Sequence, residues 1–181
     1  MYIRTETERL IIRPLQLNDF YSWKKSFESR FPSRHSYDEG KIDTSEWTED
    51  WFESVVRKQQ ELAKIDQTYV FNAFLKEGGD HIGIIDISTL LRKEFQWGRV
   101  GYTIHNQYWG RGYGKEAVQE AFKLAFTELA FHRIEAHINV DNKASFRLAE
   151  SVGMEYECTR KGFIYEFDEW TDNLVYYINC T

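Results

Sequence analysis

The sequence contains few cysteines and shows no metal-ligand pattern. Among its 181 residues only Cys158 and Cys180 carry a thiol, and they are far apart with no CxxC motif. This argues against a disulfide framework or a zinc site and favours a reducing, cytoplasmic location. The five histidines, at positions 35, 81, 105, 132 and 137, also lack ligand spacing. We therefore expect them to be surface or satisfied polar residues, and we expect no metal.

Long apolar runs and an excess of basic residues are also absent. No run approaches the ~20 apolar residues of a membrane span, and residues 1–20 lack the apolar core of a signal peptide. The net charge of −6 argues against nucleic-acid binding, which depends on Lys and Arg neutralising phosphates. It is compatible with a cationic substrate such as an amine. We therefore expect neither a nucleic acid nor a membrane as partner.

A glycine-rich segment, residues 107–116, is the most informative part of the chain. It places a glycine at every second position and a cation after two of them: Gly110, Arg111, Gly112, Gly114 and Lys115. Strand-like alternation precedes it, and an apolar stripe at helical spacing follows it. Glycine allows a close approach of the backbone, and the first N–H groups of a helix are free to bind an anion. The segment therefore predicts a phosphate or pyrophosphate site.

Two common phosphate-binding motifs do not fit this segment. A P-loop requires Gly five residues before its Gly-Lys pair and Ser or Thr after it, where this chain has Trp109 and Glu116. A dinucleotide fingerprint requires its third glycine where this chain has Lys115. An oxidoreductase that binds a nicotinamide cofactor is therefore disfavoured.

Periodicity along the rest of the chain predicts an α/β fold in one domain, residues 1–181. The predicted strands are 7–15, 68–76, 81–89, 95–105, 133–140, 154–167 and 170–179. The first predicted helix runs from an Asn18 N-cap to Glu28, and the second from a cap at Thr44 or Ser45 to about Lys64. A third helix follows the glycine-rich segment. The fourth runs from about Asn142, a good N-cap, to Val152, with Gly153 as its stop. Trp47, Trp51, Val55 and Leu62 form the expected apolar stripe of the second helix. Residues 29–44 are predicted to form a long loop.

Four blocks of sequence resemble the GNAT superfamily of acyl-CoA N-acetyltransferases, and within it the RimJ/RimL-like subgroup. The blocks are Glu8-Arg9-Leu10-Ile11-Ile12-Arg13-Pro14-Leu15, Val100-Gly101-Tyr102, Tyr108-Trp109-Gly110-Arg111-Gly112-Tyr113-Gly114-Lys115-Glu116-Ala117, and Asn142-Lys143-Ala144-Ser145 followed by Gly153-Met154. They span nearly the whole chain in the family's order. The resemblance implies a mixed, mostly antiparallel central sheet of about seven strands with helices on both faces.

The resemblance also implies acetyl-CoA as co-substrate, with no metal. In the family, backbone N–H groups of the glycine-rich loop hold the pyrophosphate, which falls here on Gly110, Arg111, Gly112, Tyr113, Gly114 and Lys115. The strand before the loop, ending near Thr103 and Ile104, pairs with the pantetheine arm. Asn142 matches an asparagine that contacts the pantetheine region. Ser145 matches a serine near the thioester sulfur, where it could donate a hydrogen bond to the departing thiolate.

The implied reaction is direct attack of a neutral primary amine on the thioester, helped by a proton acceptor and by an N–H donor for the oxyanion. Relatives often carry Glu as the base at the place that Arg99 occupies here. Glu135, on the face of the 133–140 strand that we expect to point outward, is the remaining candidate base. His137 shares that face and could serve instead.

The sequence leaves the acceptor open among a protein N-terminal α-amine, a lysine side chain, a polyamine and a small amine. The alternative interpretation is that the protein is a non-catalytic acyl-CoA-binding or regulatory module on the same fold. The family often dimerises, so a homodimer is one of the states open to this chain.

Overall fold

A central eight-stranded sheet runs through the computed structural model, which describes residues 3–180. The strands are β1 (Thr5–Glu6), β2 (Leu10–Arg13), β3 (Thr68–Leu75), β4 (His81–Leu91), β5 (Trp97–Ile104), β6 (Arg133–Asn139), β7 (Glu155–Glu166) and β8 (Glu169–Asn179). The helices are α1 (Phe20–Glu28), α2 (Glu49–Lys64), α3 (Tyr113–Thr127) and α4 (Lys143–Ser151). The predicted α/β class is confirmed, with eight strands instead of about seven. None of the helices in the described range is long and apolar enough to cross a membrane.

The sheet is mostly antiparallel, as predicted. Its strand order is β1-β2-β3-β4-β5-β6-β8-β7, and every neighbouring pair is antiparallel except β5 and β6. On one face, α3 and α4 pack on the core of β4, β5 and β6, which includes Ile85, Val100 and Ile134. On the other face, α1 and α2 pack on Phe74 and against Ile84. The predicted helices on both faces are therefore confirmed.

The extra strand, β1, lies before the first predicted element, which was expected to begin at residue 7. The strand expected at residues 7–15 is found as β2 but is shorter than predicted, because residues 7–9 form the turn between β1 and β2. The N–H of Thr7 donates to the carbonyl of Leu10 at 2.9 Å, which closes a tight turn. The strand β2 then ends at Arg13, since Pro14 cannot donate to a ladder.

The starts of the first two helices also differ from the prediction. Asn18 is not an N-cap: residues 17–19 form a 3-10 turn, and the carboxylate of Asp19 accepts the backbone N–H of Gln16 at 2.7 Å. Neither Thr44 nor Ser45 caps α2. The hydroxyl of Thr44 instead donates to Glu28 at 2.8 Å, and Thr48 caps α2 by accepting the N–H of Trp51.

The buried face of α2 is one position away from the predicted stripe, because Phe52 and Val56 pack against α1 and Phe74 of the sheet. Its buried side chains are Phe52 and Val56, whereas Trp51 is exposed and Val55 half-buried. The predicted stripe of Trp51, Val55 and Leu62 is therefore wrong as the buried face. Trp47 stacks on Trp23 of α1 at 4.8 Å between ring centroids.

The strands β5 and β6 separate after a short stretch of pairing. They are in register only from Trp97 and Arg133 to Arg99 and Glu135. Beyond that point β5 continues to Ile104 and β6 to Asn139 without pairing with each other, while β8 pairs with the other edge of β6 over its whole length. The helix α3 follows β5 and α4 follows β6, so each helix begins next to the split. The split leaves part of one edge of β5 without a partner strand.

Candidate active site

A cleft of about 420 Å³ lies at the split between β5 and β6. Its walls are the end of β5, the glycine-rich segment with the first turn of α3, the first turn of α4, and two side chains from the loop between α1 and α2. The predicted site residues that line it are Thr103, Ile104, Gly110, Gly112, Tyr113, Gly114, Lys115, Asn142 and Ser145. Arg111 and Glu135 are not part of this lining. The fold thus brings together the glycine-rich segment and the first turn of α4, whose lining residues Gly110 and Ser145 are 35 positions apart in the chain.

The glycine-rich segment presents unpaired backbone donors to the cleft. Gly110 and Gly112 have φ of +76° and +78°, the left-handed conformation that glycine adopts without strain. Gly112 precedes α3, and the first helical hydrogen bond runs from the N–H of Glu116 to the carbonyl of Gly112 at 3.2 Å. In residues 3–180, no carbonyl accepts the N–H groups of positions 113–115. These donors and the positive end of the α3 dipole favour a bound anion.

Arg9 holds this segment in place from the start of β2. Its Nε donates to Oε2 of Glu116 at 2.7 Å, and one terminal nitrogen donates to the carbonyl of Arg111 at 2.9 Å. The hydroxyl of Thr7 also donates to Glu116. The carboxylate of Glu116 is therefore neutralised, although it lies in the first turn of a helix proposed to face a phosphate. The sequence showed Arg9 only as part of a family block and not in this role.

The edge of β5 that faces the split carries backbone N–H and C=O groups without a partner strand. The N–H of His105 bonds to Ile82 of β4 at 2.9 Å. Because backbone groups alternate in direction along a strand, those of Ile104 and Tyr102 point away from β4, toward the split. The carbonyl of Ile104 is already occupied by the indole N–H of Trp109 at 2.6 Å. The N–H groups of Tyr102 and Ile104 and the carbonyl of Tyr102 are left to pair with a ligand.

Ser145 and Tyr102 form a hydroxyl pair across the cleft. The Ser145 hydroxyl donates to the Tyr102 oxygen at 3.1 Å, and the Tyr102 hydroxyl donates to the Ser145 carbonyl at 2.9 Å. Burial raises the pKa of Tyr102 to about 12, so the phenol keeps its proton at neutral pH. Asn142 caps α4 by accepting the N–H of Ser145 at 3.2 Å, as predicted. Sequence analysis missed the role of Tyr102, although the Gly101-Tyr102 block contained it.

Two residues of the loop between α1 and α2 cover the cleft. His35 stacks on Trp109, with ring centroids 5.4 Å apart, and Tyr37 donates a hydrogen bond to Asp141 beside the start of α4. Burial, followed by the hydrogen bond to Asp141, raises the pKa of Tyr37 to about 12. The loop therefore bridges the two sides of the split. The sequence predicted a long loop here but not which of its residues would reach the site.

A buried chain of hydrogen-bonded polar groups connects the start of the α1–α2 loop to the sheet. Arg30 donates through Nε to Nδ1 of His105 at 2.8 Å, Nε2 of His105 lies 2.9 Å from Nδ1 of His81, and Nε2 of His81 lies 3.0 Å from Asn72. Since guanidinium can only donate, each imidazole must carry its proton on Nε2 and pass a hydrogen bond onward. All four residues are buried. For His81 and His105, the expectation of satisfied polar residues is confirmed.

Glu135 lies outside the cleft, in a cluster of cations. Its side chain is not outward-facing as expected, because the residue is only 2% exposed. It accepts from Nε of Arg133 at 2.9 Å and from Nε2 of His137 at 2.9 Å, and Arg160 lies at 3.5 Å. Burial alone would raise the pKa of Glu135, but the hydrogen bonds from His137 and Arg133 outweigh it and hold the pKa below its usual value. Such a carboxylate is a weak proton acceptor, so its role as base stays a prediction that the geometry does not favour.

We expect Glu135→Gln to act mainly on stability. The substitution removes a charge that binds three cationic or donor groups, which should lower the free energy of unfolding by about 2 kcal/mol. Chemical denaturation at pH 7 measures this loss. Glu157→Gln, which removes only the exposed partner of Arg133, serves as the control and should change stability by less than about 1 kcal/mol. Equal losses in the two variants would contradict the interpretation.

Comparison with known proteins relates this geometry to a family. Residues 9–155 match the family described as the acetyltransferase (GNAT) domain. The chain is 29% identical over 120 residues to the probable N-acetyltransferase YjcK of Bacillus subtilis, covering 66% of each chain. It is 25% identical over 179 residues to the ribosomal protein uS5-alanine N-acetyltransferase of Escherichia coli, covering 96% of this chain and 89% of the relative. Two further Bacillus relatives are matched over only 35% and 57% of their own length.

Solved structures show the same fold. The structure of Mycobacterium smegmatis RimJ in complex with CoA-disulfide superposes with a TM-score of 0.76 at 20% identity, covering 94% of this chain and 82% of that one. At this identity the likeness concerns the fold alone. The predicted resemblance to RimJ/RimL-like proteins is therefore confirmed for the architecture.

Proposed function

Because the chain belongs to the GNAT acetyltransferase family, we propose that it transfers an acetyl group from acetyl-CoA directly to a primary amine. The observation that carries this proposal is the cleft at the β5–β6 split. It combines an anion-binding helix N-terminus, a strand edge with free backbone groups, and a hydroxyl pair at its far wall. Acetyl-CoA needs these three features for its pyrophosphate, its pantetheine amides and its thioester.

We place the pyrophosphate against the N–H groups of residues 110–115, with Lys115 contributing charge. The pantetheine arm would then run along β5 and pair with the carbonyl of Tyr102 and the N–H of Ile104. Thr103 lines the same passage, and Asn142 and Ser145 form its opposite wall. Of the predicted phosphate ligands, Arg111 would act through its backbone, since its side chain does not line the cleft.

In the proposed reaction, the amine nitrogen attacks the thioester carbonyl carbon. The N–H of Tyr102 points into the split and is suited to stabilise the oxyanion that develops. The hydroxyl of Ser145 donates to the Tyr102 oxygen in this structure, and in the reaction it would turn its single proton from Tyr102 to the sulfur as the thiolate leaves. Much of the rate enhancement would come from holding the two substrates together.

We propose that the acceptor is a protein N-terminal α-amine or a small amine such as a polyamine. The Escherichia coli relative is named for acetylation of an alanine on ribosomal protein uS5, which favours the first. Near Tyr37, at the mouth of the cleft, the carboxylates of Asp141, Glu166 and Glu169 contribute negative charge. That charge suits a protonated amine as it approaches. Reaction in a reducing cytoplasm and a single-domain enzyme are part of the same proposal.

A binding and turnover experiment tests the proposal. Acetyl-CoA at saturating concentration should raise the melting temperature of the protein. CoA release should then occur with at least one amine of a panel: a peptide with a free N-terminal alanine, an N-blocked peptide with one lysine, spermidine and a primary alkylamine. Mass spectrometry locates the acetyl group on the product. No stabilisation by either acetyl-CoA or CoA contradicts the proposal.

Ser145→Ala provides a second test of the same site. We expect kcat to fall about 10-fold, the equivalent of one lost hydrogen bond in the transition state. Stabilisation by CoA should persist, because Asn142 and the backbone donors remain. An unchanged kcat would remove Ser145 from the chemistry.

The second candidate is a non-catalytic acyl-CoA-binding or regulatory module. It is favoured by Arg99, which replaces the carboxylate expected on β5, and by the neutralised Glu135. Binding of acetyl-CoA without turnover on every amine of the panel would favour this module over the enzyme.

A further inference from the structure

Asp86 is a carboxylate on the sheet face where a base would be needed. It lies on β4 directly opposite Gly101 of β5, and residues directly opposite in a sheet place their side chains on the same face. The neighbouring positions Ile85 and Ile87 belong to the core under α3, so Asp86 points to the other face. A Cβ at Gly101 would lie 2.5 Å from Oδ1 of Asp86. The carboxylate of Asp86 therefore lies against the backbone of β5, in space that any side chain at position 101 would occupy.

This position borders the split between β5 and β6. Pairing of the two strands ends at Arg99 and Glu135, and Gly101 is the next residue of β5 on the same face as Arg99. Thr103 follows on that face, ~7 Å further along the strand, and it lines the cleft. The side chain of Tyr102 points to the opposite face, where it contacts Ser145. Asp86 and the Ser145–Tyr102 pair thus approach the thioester position from opposite faces of the sheet.

The carboxylate of Asp86 is not committed to another group. Within residues 3–180, no other residue donates a hydrogen bond to it. Burial raises the pKa of Asp86, and the charge of the exposed Arg99 on β5 opposes that rise only in part. On its other side, β3 places uncharged Val70 opposite it. A carboxylate with a raised pKa and a free lone pair is a better proton acceptor than an ordinary one.

The other candidates on this face are less suited. Glu135 is held by Arg133 and His137. The Nε2 atom of His137 is hydrogen-bonded to Glu135 and lies 3.5 Å from a terminal nitrogen of Arg160, so this nitrogen is already engaged.

We propose that Asp86 is the general base of the transfer, a role that rests on the proposed acetyltransferase function. The amine nitrogen forms a bond to the carbonyl carbon, and Asp86 accepts the proton that the nitrogen then loses. The carbon–sulfur bond breaks with its electron pair on sulfur, and the thiolate takes a proton from solvent through the Ser145 hydroxyl. The products are the acetylated amine and the CoA thiol.

Asp86→Asn tests this role at nearly constant shape. With an amine that the wild-type protein turns over, we expect kcat to fall about 100-fold. The KM for acetyl-CoA and the stabilisation by CoA should stay within twofold, because Asp86 does not line the CoA cleft. Glu94→Gln, a change in the turn after β4, is the matched control and should keep wild-type kcat. Asp86→Ala should recover at least 10-fold of its lost activity with added formate and none with chloride at equal ionic strength.

Two results would overturn the assignment. One is a kcat of Asp86→Asn within threefold of wild type, and the other is a loss in Asp86→Ala that formate does not restore. If Asp86→Asn fails to fold, Gly101→Ala replaces it: its Cβ displaces the carboxylate, so kcat should fall at least 10-fold while CoA still stabilises the protein. An unchanged kcat there also overturns the assignment. A wild-type protein inactive on every amine contradicts the proposed function instead, so the two failures are distinguishable.

Discussion

Gly112→Val is expected to weaken acetyl-CoA binding 100-fold or more. Gly112 has φ of +78° at the start of α3, and a β-branched residue in this conformation is strongly strained. Relief of that strain turns the N–H groups of Tyr113 and Gly114 away from the cleft. A side chain there also meets Arg9, whose terminal nitrogen would lie 3.4 Å from the new Cβ. Isothermal titration with CoA measures the loss.

Gly78→Val is the matched control for this experiment. Gly78 has a similar φ of +82° but lies in the β3–β4 turn, where a Cβ meets nothing within 4 Å. Both variants should lose comparable stability, about 1–2 kcal/mol, from the same backbone strain. Only Gly112→Val should lose affinity for CoA. Equal affinities in the two variants would show that the glycine-rich segment does not hold the ligand.

Acid should destabilise the protein well above the pH at which its carboxylates titrate. Burial, with the charge of Arg30, lowers the pKa of His105 to about 3. Burial and the nearby charges of His105 and Arg30 lower the pKa of His81 well below 6.5. Both imidazoles are therefore neutral in the folded chain and gain a proton on unfolding. At a pH between the unfolded pKa of 6.5 and the lowered pKa in the folded chain, the unfolded state binds more protons than the folded state. Stability is therefore fully present above pH 6.5 and falls as the pH drops toward 3.

The expected slope is ~1.4 kcal/mol per pH unit for each histidine. Urea denaturation at several values between pH 6.5 and pH 5 measures it before most carboxylates begin to titrate. His105→Gln should lower stability at pH 8 and reduce the slope, because one titrating group is gone. His132→Gln, at an exposed position, should leave the slope unchanged. A wild-type stability that is flat from pH 6.5 to pH 5 would contradict neutral, buried imidazoles.

Local patterns predicted most of the elements. Alternation identified β3 to β8 within a few residues, and the Asn142 cap and the Gly153 stop of α4 were both confirmed. The wrong start predicted for α2 shows how such a prediction fails when a side chain has more than one partner available. Thr44 and Thr48 are equally good caps by residue type, but Thr44 is used by Glu28, so α2 begins four residues later. A competing tertiary hydrogen bond of this kind has no signature in a single sequence.

The sequence by itself determined the phosphate-binding segment. Its glycines and the helix that follows dictate free N–H groups at a helix start, whatever the rest of the chain does. Only the tertiary structure decided which side chains meet at the split. Tyr102, Tyr37, Arg9 and Asp86 reach it from four separate elements, and Glu135 is drawn away by cations from β6 and β7. The reason is physical: backbone donors follow from local conformation, whereas the partners of a side chain depend on contacts between residues distant in the chain.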